Sequence, residues 1–208
     1  GGARTASTRV TISTSQSIPQ TTSQSGRDEQ ERTQKGHVNL FPLASFDRIE
    51  NDTAAELCRQ WGHYLGPCNR PFGMQSFGLR IDPLGLVSVA VSASVVGVTC
   101  AGFQRREVVE QARLVTHPAE RWATRVCLRL WRHFAPAEWG REQWPVVAMG
   151  SYADAARHAG DVYRFDGWER WGMVKGRTSV GGRQAGATCN EKSVWYFPCQ
   201  ANALRRAK

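Results

Sequence analysis

Hydrophobic and polar positions divide the chain sharply near residue 37. Residues 1–36 show no periodic apolar pattern and are rich in Ser, Thr, Gln and Gly. Such a composition buries too little surface to offset ordering entropy, so this stretch is expected to be a disordered tail. From His37 onward the pattern predicts a folded domain spanning 37–208. "HVNLFPLASF" predicts a first strand ending near Pro42. "DTAAELCRQWGHYLG" predicts a helix with Asp52 or Thr53 as its cap and Leu57, Trp61 and Tyr64 or Leu65 on its apolar face. "QSFGLRID" alternates Phe77, Leu79 and Ile81 as a strand does, and "DPLG" marks a turn. "LVSVAVSAS" alternates Val87, Val89 and Val91 against Ser88, Ala90 and Ser92, the signature of a half-buried strand.

"VVEQARLVT" predicts a further strand. "HPAERWATRVCLRLWRHF" predicts the clearest helix, with Pro118 in its first turn and Trp122, Val126, Leu130 and Phe134 at four-residue spacing. "WPVVAMGSYAD" predicts a strand that delivers Ser151, Tyr152 and Asp154 at its end. A short helix through "AARHAGDVYRFDG" and the strands "WERWGMVKG" and "SVWYFPC" follow. This order predicts an α/β (α+β) domain with a mixed central sheet flanked by helices. The unit from Val108 to Asp154 reads as a strand–helix–strand crossover with parallel strands.

Composition adds a charge argument. Of 208 residues 27 are Lys or Arg and 18 are Asp or Glu, a formal charge of +9. The tail holds five of the basic and three of the acidic residues, so the folded part carries most of the excess. A strongly basic domain with eight Trp suits a polyanionic partner, DNA above all. No apolar run approaches the ~20 residues of a membrane span. The six cysteines, Cys58, Cys68, Cys100, Cys127, Cys189 and Cys199, contain no CxxC pair, which excludes the spacing of a structural zinc site. Reduced thiols in a cytoplasmic protein of a bacterial or phage-infected cell are the expectation. Oligomeric state leaves no signature, and a homodimer is compatible with the pattern.

Candidate chemistry clusters in "GSYADAARHAGDVYRFDGW", residues 150–168, where aromatic and titratable residues alternate. Asp154 is either a helix cap or a reacting carboxylate. Tyr163 and Trp168 are either core aromatics or the wall for a flat ligand, and Tyr163 could also move a proton. Arg113 in the apolar "ARLV" either pairs structurally or holds an anion. His63 sits at a helix end, where the dipole alone could account for it. Arg121, Arg125, Arg129 and Arg132 share one side of the long helix as a solvated face or a phosphate track. Lys175 and Arg177 open the basic, glycine-rich "KGRTSVGGRQAG".

The combination of "HY" at 63–64, "ARLV" at 112–115, "SYAD" at 151–154 and "HAGDVYRFDGW" at 158–168 resembles the Mom family, phage-type DNA-modification proteins with a GNAT-like fold. The closing "KSVWYFPC" is similar as well, and the resemblance spans roughly residues 37–200. It implies transfer of a methylcarbamoyl group to the N6 amino group of adenine in DNA, an anti-restriction modification. It also implies a metal site at His63, Tyr64 and Asp154, an oxygen and nitrogen set suited to iron, and catalytic polar groups at Arg113, Ser151, Asp154 and Tyr163. A GNAT-type site implies acyl-CoA (acetyl-CoA) bound near Arg113, Thr116, His117 and Thr124. One departure stands out. GNAT acetyltransferases usually carry a glycine-rich "[QR]-x-x-G-x-[GA]" loop here for the CoA pyrophosphate, whereas this chain has "THPAERWATRV". The alternatives are an acyl-CoA-dependent GNAT N-acetyltransferase acting on another amine and a non-catalytic nucleic-acid-binding protein.

Overall fold

A computed structural model describes residues 43–175 and 190–199. The expected tail at 1–36, Arg177 and Cys189 lie outside the described residues. In chain order the elements are β1 (Ala44–Ile49), α1 (Asn51–Gln60), β2 (Met74–Ile81), β3 (Gly85–Ala93), β4 (Thr99–Cys100), β5 (Phe103–Gln104), a single 3-10 turn (Arg105–Glu107), β6 (Val108–Thr116), α2 (Ala123–Glu142), β7 (Ala148–Asp154), α3 (Asp161–Arg164), β8 (Glu169–Lys175) and β9 (Glu191–Pro198). Seven strands form one sheet in the order β1-β2-β3-β6-β7-β9-β8, so the mixed α/β architecture is as expected. Every neighbouring pair is antiparallel except β6 with β7, the pair joined through α2. Among the described residues no helix is long and apolar enough to cross a membrane.

The sheet is covered on both faces. Ala54 and Cys58 of α1 pack with Val89, Val91 and Val115 on one face. Cys127, Leu128, Trp131, Ala135 and Trp139 of α2 pack with Phe77, Leu79, Val87 and Ala90 on the other. β3 is therefore buried on both sides, not half-buried as its alternation predicts. Its serines are not solvent-facing; they serve as internal polar partners. Ser88 Oγ donates to the Val115 carbonyl at 3.0 Å, and Ser92 Oγ accepts the Trp131 indole N–H at 2.8 Å. Each bond offsets the cost of burying a hydroxyl in the core.

Several boundaries differ from the sequence reading. The strand expected to end near Pro42 falls mostly outside the described residues, among which the first strand is Ala44–Ile49. Helix α1 starts at Asn51 behind Glu50, whose side chain makes no capping bond. Helix α2 starts at Ala123, five residues after Pro118, and continues through Pro136 to Glu142. Its buried stripe is Ala123, Cys127, Leu128, Trp131, Ala135 and Trp139, one residue round from the predicted row, while Trp122 and Val126 are exposed. The small residues in this row let the helix approach the sheet and give Trp131 and Trp139 room. A reading weighted toward large apolar side chains selects the neighbouring row. The β4–β5 hairpin was not foreseen. Its two-residue turn places Ala101 at φ 48° and Gly102 at φ 80°, the left-handed pair of a type I′ connection. Cys58, Cys68, Cys100 and Cys127 are buried free thiols, as the reduced-thiol reading expects, and Cys199 is an exposed one.

Candidate functional site

The site follows from how β6 and β7 pair. Their parallel ladder joins only residues 108–110 to 148–150, after which β6 runs on to Thr116 and β7 to Asp154 without pairing to each other. The strands splay, and the splay opens a cleft of about 380 Å³. Its walls are residues of β6 and β7 beyond the ladder, Thr124 at the start of α2, residues 63–65, and the segment 157–163. Strand β6 also carries a bulge. Val91 of β3 faces Arg113 and Ser92 faces Gln111, so Ala112 is the extra residue. Bulges next to clefts re-aim side chains and take backbone out of the ladder.

The segment after β7 is pressed into place by Gly160. Its φ is +80°, and a Cβ there would lie 2.2 Å from the Trp195 ring, so only glycine lets the turn rest on that indole. The same indole stacks on Tyr163, with ring centroids 5.8 Å apart, and Trp168 meets Tyr163 edge-on at 5.3 Å. Tyr163 is thereby fixed with its hydroxyl toward the strands. Ser151 Oγ donates to Tyr163 Oη at 2.8 Å, and Tyr163 Oη donates to Gln111 Oε1 at 2.8 Å. Burial pushes the Tyr163 phenol up to about 12, against the opposing pull of Ser151. Tyr163 is therefore a neutral phenol near pH 7 and can supply a proton but not accept one there. Ser151 and Tyr163, both expected as site residues, are thus bonded to each other. Gln111, the third member, was not singled out in the sequence. Its only signal was "EQ" inside an otherwise apolar strand, where Glu110 too is buried and paired with Arg70 at 3.0 Å.

His63 and Tyr64 lie in the turn after α1, not on the helix, and both line the cleft. Their rings stack at 5.1 Å, and His158 approaches Tyr64 at 5.7 Å. Burial first, then the nearby Arg113 charge and the His158 side chain, lowers His63 to about 4. His63 Nδ1 accepts the Leu65 N–H at 3.2 Å, which leaves the ring proton on Nε2. This histidine stays neutral when folded, while its unfolded counterpart takes a proton below about pH 6.5. The unfolded state then binds more protons, so stability falls as pH drops from 6.5 toward 4, by up to roughly 3 kcal/mol. His63→Gln is expected to flatten that loss in urea unfolding at pH 7 and pH 4.5. An unchanged acid loss would refute the assignment.

Arg113 and Asp154 take the structural alternative of the sequence reading and not the catalytic role that the resemblance implies. Arg113 donates to the carbonyls of Gly66, Ala112 and Pro67 at 2.8, 2.6 and 3.2 Å, so its guanidinium staples the turn carrying His63 and Tyr64 to β6 and does not line the cleft. Asp154 lies three residues beyond Ser151 on β7 and so on the opposite face of the strand. Its Oδ1 accepts the Ala156 N–H at 3.0 Å, while Oδ2 accepts from Asn190 at 3.0 Å and faces Arg157 at 3.6 Å. Those hydrogen bonds, Asn190 first, hold its carboxyl below the usual value. Its carboxylate is thus occupied as a turn cap, and the Tyr64 hydroxyl reaches the Asp154 backbone. Among the described residues no three His, Cys, Asp or Glu side chains gather as metal ligands. Nothing in this arrangement supports the expected iron.

The helix start also has commitments. Thr124 Oγ1 donates to Thr116 Oγ1 at 3.0 Å, and His117 Nδ1 accepts the Ala119 N–H at 3.3 Å. The N–H groups of Ala123 and Thr124 already donate to the Glu120 and Arg121 carbonyls. Glu120 sits before the helix with Trp122 Nε1 donating to its carboxylate at 2.6 Å. The open edge of β6 fits the extended arm of acyl-CoA, but this helix start does not fit its pyrophosphate. Of the predicted phosphate track, Arg129 and Arg132 pair with the buried Asp166 at 2.9 and 3.3 Å, and Arg125 donates to the Phe165 carbonyl at 3.0 Å. They pin α2 to the turn after α3. Arg121 is exposed ahead of the helix, and Lys175 is exposed at the end of β8.

No family model and no curated protein matches the chain. Solved structures match its fold. A variant of spermidine N-acetyltransferase from Vibrio cholerae aligns at 8% identity over 79% of this chain and 98% of its own, with a TM-score of 0.53. A GNAT superfamily phosphinothricin acetyltransferase from Sinorhizobium meliloti, solved with acetyl-CoA, aligns at 13% identity over 74% of this chain and 88% of its own, with a TM-score of 0.50. The fold is that of the GNAT acetyltransferases.

Proposed function

We propose that this chain is a GNAT-type N-transferase that moves an acyl-type group onto an amine. The observation that carries this reading is the buried chain of Ser151, Tyr163 and Gln111 at the point where β6 and β7 part. A donor lying in the splay presents its carbonyl to the bulged stretch of β6, where backbone outside the ladder can meet a developing oxyanion. The amine nitrogen forms a bond to the carbonyl carbon as the π pair moves to oxygen. The pair returns, the bond to the leaving group breaks, and the leaving group takes the phenolic proton of Tyr163. Ser151 donates to the resulting phenolate, and the amine's proton departs through the open mouth of the cleft. The phenol, held near 12, is fully protonated before the step.

For the acceptor, we propose the N6 amino group of adenine in DNA, the Mom-type reading, with methylcarbamoylation as the modification. The support is the resemblance at residues 151–168, the net charge of +9 and the character of the cleft mouth. Tyr64 and His63, stacked on each other with Arg157 over the Tyr64 ring at 5.2 Å, form an aromatic wall of the cleft beside which a base turned out of the duplex would lie. Arg157 lines the cleft, and Arg125 and Arg164 both lie over the Phe165 ring, so these arginines offer cations for phosphates. The adenine amine is a weak nucleophile, because its lone pair is delocalised, so positioning must supply much of the acceleration. The solved neighbours favour a second reading, an N-acetyltransferase acting on a different amine. Mass analysis of nucleosides from DNA co-expressed with the protein separates them. A modified deoxyadenosine, absent with Tyr163→Phe, is the expected result. Unmodified DNA together with a newly acetylated cellular amine would establish the second reading instead.

A further inference from the structure

We infer that the donor used in the β6/β7 cleft carries its group on a short, amide-bearing arm and is not recognised through a nucleotide diphosphate. The inference rests on the proposed N-transfer and names its donor class. Two features of the cleft lead to it. Past Glu110, β6 has one edge paired with β3 and the other unpaired toward the splay among the described residues. An extended arm with amide groups can add to such an edge as a further strand would, exchanging backbone hydrogen bonds. The lower part of the cleft is therefore built to hold an arm.

The upper end is built differently. A diphosphate bound at a helix start needs free N–H groups, close backbone approach and no competing anion. Here the N–H groups of Ala119, Glu120, Ala123 and Thr124 all have acceptors inside the turn. Residues 116–124 contain no glycine, so side chains stand where phosphate oxygens would meet backbone. The Glu120 carboxylate, held by the Trp122 indole at 2.6 Å, places a negative charge at the helix mouth. Thr116 and Thr124 are bonded to each other, and Thr116 also to Ser88 at 2.8 Å. Arg125, the cation of the first helical turn, is drawn away to the Phe165 carbonyl. These N–H groups and the side chains of Thr116, Thr124 and Arg125 already have intramolecular partners, the Glu120 charge repels a diphosphate, and the exposed Arg121 is the cation that remains.

The test is a calorimetric titration of the full chain with two probes, pantetheine and coenzyme A. They share the arm and differ by the nucleotide diphosphate. The expected result is equal affinity within about threefold, because the nucleotide half meets no complementary group. The double variant Glu120→Gly, Trp122→Gly is expected to tighten coenzyme A about tenfold or more and to leave pantetheine unchanged. Coenzyme A binding about a hundredfold tighter than pantetheine to the unaltered chain would overturn the inference while leaving the transferase reading in place. A double variant with unaltered preference would overturn it as well, since the closure would then not lie at these residues. Binding of neither probe at millimolar concentration would remove both the inference and the transferase cleft.

Discussion

Tyr163→Phe is expected to lower the rate of group transfer by about 10²–10⁴-fold, the usual worth of a positioned acid. The change removes one oxygen and keeps the ring. Phenylalanine retains the stack on Trp195 and the edge contact with Trp168, so the turn and α3 keep their places. Folding stability is expected to fall by about 1–3 kcal/mol, the net cost of losing two neutral hydrogen bonds. Ser151 keeps an acceptor in the Gln111 backbone carbonyl at 3.1 Å. The separation of a large rate effect from a small stability effect is the readout, taken from modified deoxyadenosine yield and a thermal melt of the same preparation. More than a tenth of normal transfer in the variant would reduce Tyr163 to a packing residue. The pH dependence adds a check. With the phenol held near 12, the acid form persists through neutral pH, so no loss of transfer from this group is expected as pH rises from 7 to 9.

Much of this site was legible in the sequence because it lies in one continuous stretch. Ser151 and Tyr163 fall on a strand end and the turn after it, and local chemistry identified them together. Gln111 was not legible in the same way, since it joins them from 52 positions away from Tyr163, across a parallel pairing that periodicity does not reveal. Asp154 shows the opposite failure. Type and position made it look like a reacting group, yet an odd spacing from Ser151 turns it to the other face of β7, where Ala156 and Asn190 take its oxygens. Arg113 was recognised as a buried cation, but its partners are carbonyls of the 66–67 turn, a contact no local pattern encodes. The strand order follows a similar rule. Alternation located β2 and β3, while the splay depends on where a ladder stops, which is a property of two strands together.

Trp131→Ala is expected to cost about 3–5 kcal/mol, the range for deleting a fully buried large aromatic side chain. Trp131 has no exposed surface and sits in the middle of the α2 stripe against the sheet. Its ring stacks near Trp168 at 6.3 Å, and its N–H satisfies Ser92 of the doubly buried β3. Deletion opens a cavity between helix and sheet and leaves the Ser92 hydroxyl without its donor. Small neighbours such as Ala123 and Ala135 offer little side chain to collapse into the space, so the loss should lie toward the upper part of the range. For a domain of this size, a loss of that order lowers the thermal midpoint by roughly 10 °C or more. Trp131→Phe keeps most of the ring and loses the bond to Ser92, so about 1–3 kcal/mol is expected, below the cost of alanine. The ordering of the two variants in a urea melt is the decisive measurement. It also reaches the site, because Trp168 lies between Trp131 and Tyr163. A cavity at 131 loosens the wall behind the phenol, so Trp131→Ala is expected to reduce transfer even where the chain remains folded. Alanine and phenylalanine variants of equal stability would show that α2 is held to the sheet by other contacts, and the coupling between helix packing and Tyr163 would fall with it.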